Sequence, residues 1–105
     1  MAKQMVYTAR NIKADEALRI GLVNAVYPLA ELYTAAEKLA SQIAANAPIA
    51  VRAAKKAINE GLDLPMDEAV VVEEKAFGSC FGTADQQEGM GAFLEKRKHE
   101  PFTNK

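Results

Sequence analysis

A single cysteine, Cys80, in a chain of 105 residues leaves no disulfide to close within it. A reducing compartment, the cytoplasm, is therefore the expected setting. A single histidine, His99, lies in a basic tail, so no Ser/His/Asp set can be assembled convincingly and a solvated surface histidine is expected. There is no CxxC, no HExxH and no glycine-rich strand-to-helix loop, which removes the common zinc, redox and phosphate-loop signatures. Long apolar runs are also missing. The run from Ala69 to Val72 is far short of the roughly 20 residues that cross a bilayer. The stretch between Lys3 and Arg10 is too polar for the apolar region of a signal peptide. Charge of one sign is lacking too: 13 Lys and Arg face 14 Asp and Glu, for a formal net charge of −1. No nucleic-acid partner and no membrane partner are expected from that balance. No internal repeat, low-complexity tract or Gly/Ser linker divides the chain.

What remains is 50% hydrophobic and 26% charged, which is the composition of one small globular domain with a thin core. Ala2 to Ala9 can form a turn or two of helix without a capping residue ahead of it. Asp15 to Ile20 predicts a short helix, acidic in its first turn and stopped by Gly21. Leu22 to Tyr27 alternates and is rich in strand formers, so a short strand or extended segment ending at Pro28 is expected.

The rest reads as helix. Between Glu31 and Ala45, Leu32, Ala36, Leu39 and Ile43 share one stripe. Pro48 suits the first turn of a helix to Glu60, with Gly61 as its stop. Pro65 opens a third helix whose buried face is expected to hold Met66, Ala69, Val70, Phe77, Cys80 and Phe81, with Gly82 as its breaker. Thr83 and Gln86 form a T-x-x-Q capping box for a last helix from Ala84 to about Lys96. A lone strand has no partner in such a chain, so either the segment is a loop or its sheet lies elsewhere. The alanine-rich helices favour helix formation, but each alanine buries little area. They suit joining subunits or covering something larger.

Two features rise above this background. Glu73 falls close to the stripe Met66, Val70, Phe77 and Cys80, where a carboxylate is at the edge, paired or protonated. Gly89 and Gly91 lie within one short helix, at a cost of roughly 1 kcal/mol each relative to alanine. Close approach of a backbone or ligand would offset that cost. Phe93 and Lys96, spaced i, i+3, would share a helix face there. A ring beside an ammonium can receive an aromatic base and a phosphate, whereas the plainer assignment is a core phenylalanine and a solvated lysine.

The string Glu88-Gly-Met-Gly-Ala-Phe-Leu-Glu-Lys-Arg97 resembles the C-terminal signature of the enoyl-CoA hydratase family, the crotonase superfamily. Ile12 to Val26, Asn46 to Val51 and Lys55 to Asn59 are similar, in order, to segments that follow the family's catalytic core. The details look most like bacterial short-chain 3-hydroxybutyryl-CoA dehydratases. The resemblance implies a mostly α chain, the C-terminal helical region of the ClpP/crotonase-like fold, lacking the N-terminal ββα core. Residues 1–27 would be the tail of the connection from that core and residues 28–105 a helical oligomerisation domain.

The reaction implied for the whole enzyme is reversible hydration of a short 2-enoyl-CoA, with acyl-CoA as substrate and no metal or redox cofactor. Its glutamates and oxyanion N–H groups would lie upstream, so no catalytic residue is assigned and the chain alone is expected to be inactive. What transfers by position is a pocket for the CoA adenine and 3′-phosphate at Phe93, Lys96 and Phe77. Self-association through apolar helix faces is implied as well, the parent family forming trimers and hexamers. Two alternatives stay open: a non-catalytic helical self-association module, and another superfamily reaction (isomerase, decarboxylase or thioester hydrolase).

Overall fold

A computed structural model describes the whole chain, Met1–Lys105. It contains six helices and no strand: α1 Ala2–Thr8, α2 Ala14–Arg19, α3 Leu29–Ala44, α4 Pro48–Gly61, α5 Met66–Gly78 and α6 Ala84–Glu95. The chain forms two compact units, Met1–Lys38 and Leu39–Lys105. The division falls inside α3.

In the first unit, Gly21 adopts φ 74° just past α2. Its N–H donates to the Leu18 carbonyl at 3.1 Å and that of Leu22 to Ala17 at 2.9 Å. This pair of reversed bonds is the Schellman stop that glycine permits. The Arg10 guanidinium grips Glu16 with two hydrogen bonds, at 2.9 and 2.8 Å. That grip, with Arg19 further off, holds the Glu16 carboxyl below its ordinary range. Leu22 to Tyr27 is irregular, not a strand. The segment is rich in strand formers, but no second strand is there to accept its main-chain bonds, and β propensity without a partner does not make a sheet.

In the second unit, α4 and α5 pack against each other. Pro48 occupies the first turn of α4 as the sequence implies, with Ala47 as N-cap. Gly61 is not a left-handed stop. It is the last residue of α4, and a Cβ built on it would lie 3.4 Å from Ala69 Cβ. Its role is to let α5 come near. Pro65 precedes α5 as N-cap, and α5 ends at Gly78, short of Cys80 and Phe81. Gly82, at φ 87°, turns the chain into α6. Thr83 Oγ1 there accepts the Gln86 N–H at 3.1 Å.

Burial departs most from expectation. The buried residues are Ala17, Ala92 and Asp85. Met66, Val70, Phe77 and Phe81, expected on an inner face of α5, are exposed, as are Leu32, Leu39 and Ile43 on α3. The stripes are real, but the helices are too few and their alanines too small to cover them. No helix is long and apolar enough to cross a membrane.

Candidate functional site

Two places in the second unit gather chemistry. The first is a groove of about 550 Å³ between α4 and α5. Ala57, Gly61, Met66, Val70 and Phe77 line it, and Glu73 is the carboxylate among them. Glu73 itself is exposed, in keeping with the edge position. Phe77 and Phe81 meet edge to face with centroids 5.1 Å apart. Cys80 is half-buried on the groove wall, its thiol donating to the Ala76 carbonyl.

The second place is α6 with the tail that follows it. Residues 97–105 fold back along the helix and are held by two carboxylates one turn apart. Asp85 is 3% exposed. It accepts the Thr103 N–H at 2.6 Å, the Asn104 N–H at 2.9 Å and the Thr103 hydroxyl at 3.3 Å. Its own N–H donates to the Lys105 carbonyl at 3.2 Å. As a first-turn residue it also faces the positive end of the helix dipole. Glu88 accepts two bonds from the Arg97 guanidinium, at 2.6 and 3.1 Å, and the Glu100 N–H at 2.7 Å. Arg97 Nε reaches Glu95 at 2.5 Å. Arg52 on α4 donates to the Asn104 side chain at 2.6 Å, joining α4 to the tail.

The glycines of α6 now have an occupant. A Cβ on Gly89 would lie 3.6 Å from the Phe102 ring, and one on Gly91 would lie 3.8 Å from the Arg97 guanidinium. The tail lies against both positions, but at ordinary contact distances that an alanine would also tolerate, so the glycines are not required by a close approach. His99, exposed as expected, stacks on Phe102 with centroids 4.3 Å apart.

Phe93 is 76% exposed. Lys96 is exposed too, but it has left the helix, with φ 54° and ψ 36°. The shared helix face expected for Phe93 and Lys96 therefore does not form, because an i, i+3 pair meets only while both residues are helical. Lys96 instead takes the left-handed position of a helix stop. Its N–H donates to Phe93 at 3.3 Å and that of Arg97 to Ala92 at 3.0 Å. Glycine normally fills this position, and a residue with a Cβ holds it at a cost of roughly 1–2 kcal/mol. Phe77 lies in the groove, on a different helix from Phe93 and Lys96.

The Arg97 bonds, reinforced by the Glu100 N–H, hold the Glu88 carboxyl down from 4.5 to about 2. A carboxylate with a depressed folded value stabilises fully above its unfolded value and loses that contribution as pH falls through the folded one. The Glu88 contribution should thus be complete above pH 4.5 and fade toward pH 2. Acid titration followed by the Glu100 amide resonance should show release near the folded value of about 2. The Glu88→Gln chain should lack that step, and a step persisting in it would assign the transition to another group.

A model of the enoyl-CoA hydratase/isomerase family matches residues 1–105. The chain belongs to that family. Among family members it is 54% identical over 105 residues to a short-chain-enoyl-CoA hydratase of Clostridium acetobutylicum, covering 100% of this chain and 40% of that protein. It is 54% identical over 98 residues to a crotonyl-CoA hydratase of Syntrophomonas wolfei, covering 93% of this chain and 38% of that protein. It superposes on the crystal structure of an enoyl-CoA hydratase from Bacillus anthracis with a TM-score of 0.93 at 39% identity, over 99% of this chain and 40% of that one. The chain thus spans about 40% of the length of the curated relatives it matches. As a member of the enoyl-CoA hydratase/isomerase family it is mostly helical, and its structural neighbours carry the crotonase fold.

Proposed function

We propose that this chain is the C-terminal helical part of an enoyl-CoA hydratase acting on short 2-enoyl thioesters. In that reading it supplies contacts between subunits and part of the pocket for the CoA nucleotide. The catalysed step is addition of water across the double bond, driven by general acid/base carboxylates and oxyanion stabilisation. No residue of this chain is given a catalytic role, and the reaction calls for no metal or redox cofactor. Its support is the family match over residues 1–105, together with the order of the signature segments ending at Glu88–Arg97.

The observation that carries the nucleotide pocket is Lys96, an exposed ammonium-bearing residue held in a costly left-handed conformation at the end of α6, three residues after the exposed Phe93. Strained residues of this kind gather at binding sites. Lysine serves as a point charge for phosphate and phenylalanine as a stacking face for a base. Phe77, on another helix, is assigned to this pocket by the family resemblance alone. The test is titration with adenosine 3′,5′-bisphosphate and with adenosine 5′-monophosphate. Lys96→Ala should weaken the bisphosphate roughly 5- to 30-fold, the equivalent of about 1–2 kcal/mol for a charge-assisted contact. The monophosphate should change little. Equal losses for both, or none, would make Lys96 an ordinary surface lysine.

A second reading has its own support. So many large apolar side chains are exposed that a helical module whose activity is self-association also fits. Its test is the oligomeric state.

A further inference from the structure

We propose that the Glu88–Arg97 pair is a positioning device for Lys96, fixing the left-handed turn from which its ammonium meets a phosphate. The inference rests on the reading of Lys96 as a phosphate contact.

Both neighbours of Lys96 in the chain are engaged. Glu95 accepts from Arg97 Nε at 2.5 Å, and the rest of that guanidinium grips Glu88, two turns back on α6, at 2.6 and 3.1 Å. Lys96 therefore sits between two residues bonded to each other, with the second anchored to the helix body. The same Glu88 carboxylate holds the Glu100 N–H at 2.7 Å, so the chain is pinned beyond the turn as well. A Cβ at Gly91 would stay 3.8 Å from the guanidinium, so the pair does not depend on that glycine.

A lysine does not choose φ 54° by itself. The helix-stop bonds from the Lys96 and Arg97 N–H groups set this turn, and the pair adds to them by fixing the chain on both sides of it, so that the Cα–Cβ bond keeps one direction. A side chain already aimed loses less freedom on binding than one that must be ordered.

Four chains decide the matter: the unaltered chain, Lys96→Ala, Glu88→Gln, and the two substitutions together. Each is titrated with adenosine 3′,5′-bisphosphate and with adenosine 5′-monophosphate, and helix content is checked by circular dichroism. Glu88→Gln should weaken the bisphosphate about threefold to tenfold and leave the monophosphate nearly unchanged; at 1.4 kcal/mol per decade that is about 0.7–1.4 kcal/mol. Added to Lys96→Ala, it should cost nothing more, because the side chain it aims is gone. Arg97→Lys, which keeps the charge but not the two-pronged grip, should repeat the effect. It also serves as the second variant should Glu88→Gln lose its helices.

The positioning role is overturned if Glu88→Gln and Arg97→Lys bind the bisphosphate like the unaltered chain. It is also overturned if they lose both nucleotides equally, or if the loss persists without Lys96. Loss of helix content in both variants makes the pair a fold-holding contact and overturns it too. An unchanged Lys96→Ala, or an unaltered chain that binds neither nucleotide, overturns the nucleotide-pocket reading itself.

Discussion

Replacing Phe77 by aspartate should abolish the self-association proposed for this chain. Phe77 is 66% exposed, sits in the α4–α5 groove and meets Phe81 edge to face, with Met66 and Val70 on the same wall. Covering a phenylalanine side chain stabilises by about 1.5–3 kcal/mol, and a buried unpaired carboxylate in its place adds a penalty. In a two-fold symmetric dimer each substitution counts twice. The change is then about 3–6 kcal/mol per dimer, or roughly two to four decades in Kd. Light scattering at high micromolar concentration should give a multiple of the 11.4 kDa chain mass before the substitution and that mass after it. A chain that is already monomeric at that concentration, with a cooperative melt, contradicts the prediction.

Asp85→Ala should release the tail and destabilise the second unit by about 2–3 kcal/mol. Hydrogen bonds to a charged group contribute about 1.5–3 kcal/mol each, but the freed amides regain water once the tail leaves. The carboxylate is 3% exposed and holds Thr103 and Asn104 by their N–H groups at 2.6 and 2.9 Å. It also favours the helix it opens, through the N-terminal dipole. Urea unfolding should show the loss in midpoint, and hydrogen exchange should show the Thr103 and Asn104 amides becoming unprotected. Asp85→Asn, which keeps one acceptor oxygen, should lose less. A midpoint shift below about 0.5 kcal/mol, the scale of an ordinary surface change, would mean the tail is held by Arg52 and Phe102 instead.

What could be read in advance was whatever is decided within a few residues. Gly21 and Gly82 mark turns because only glycine enters the left-handed region freely. Pro48 and the Thr83 cap mark helix starts for equally local reasons. The contacts of α6 were not legible. Asp85 and Glu88 look like any polar helix residues until the tail returns to them, and nothing local announces that return. The signal present was indirect: two glycines with no local purpose, one of which lies against Phe102. Lys96 was hidden because lysine has no preference for a left-handed turn; the helix stop at the end of α6 imposes one. Leu22 to Tyr27 misled in the opposite way, since its strand formers express a preference that needs a partner.

The tail also sets an order in time. Its bond from Asp85 to Thr103 closes a separation of 18 residues, and that from Arg52 to Asn104 one of 52. Loop-closure entropy makes the longer one dearer by about 1 kcal/mol. The hairpin of α4 and α5 and the first turns of α6 need no such closure, so they should form early and the bond to Arg52 should come last. On unfolding the sequence reverses. The link between α4 and the tail opens before any helix melts, and a probe on Asn104 would report departure from the native state ahead of every signal that measures helix.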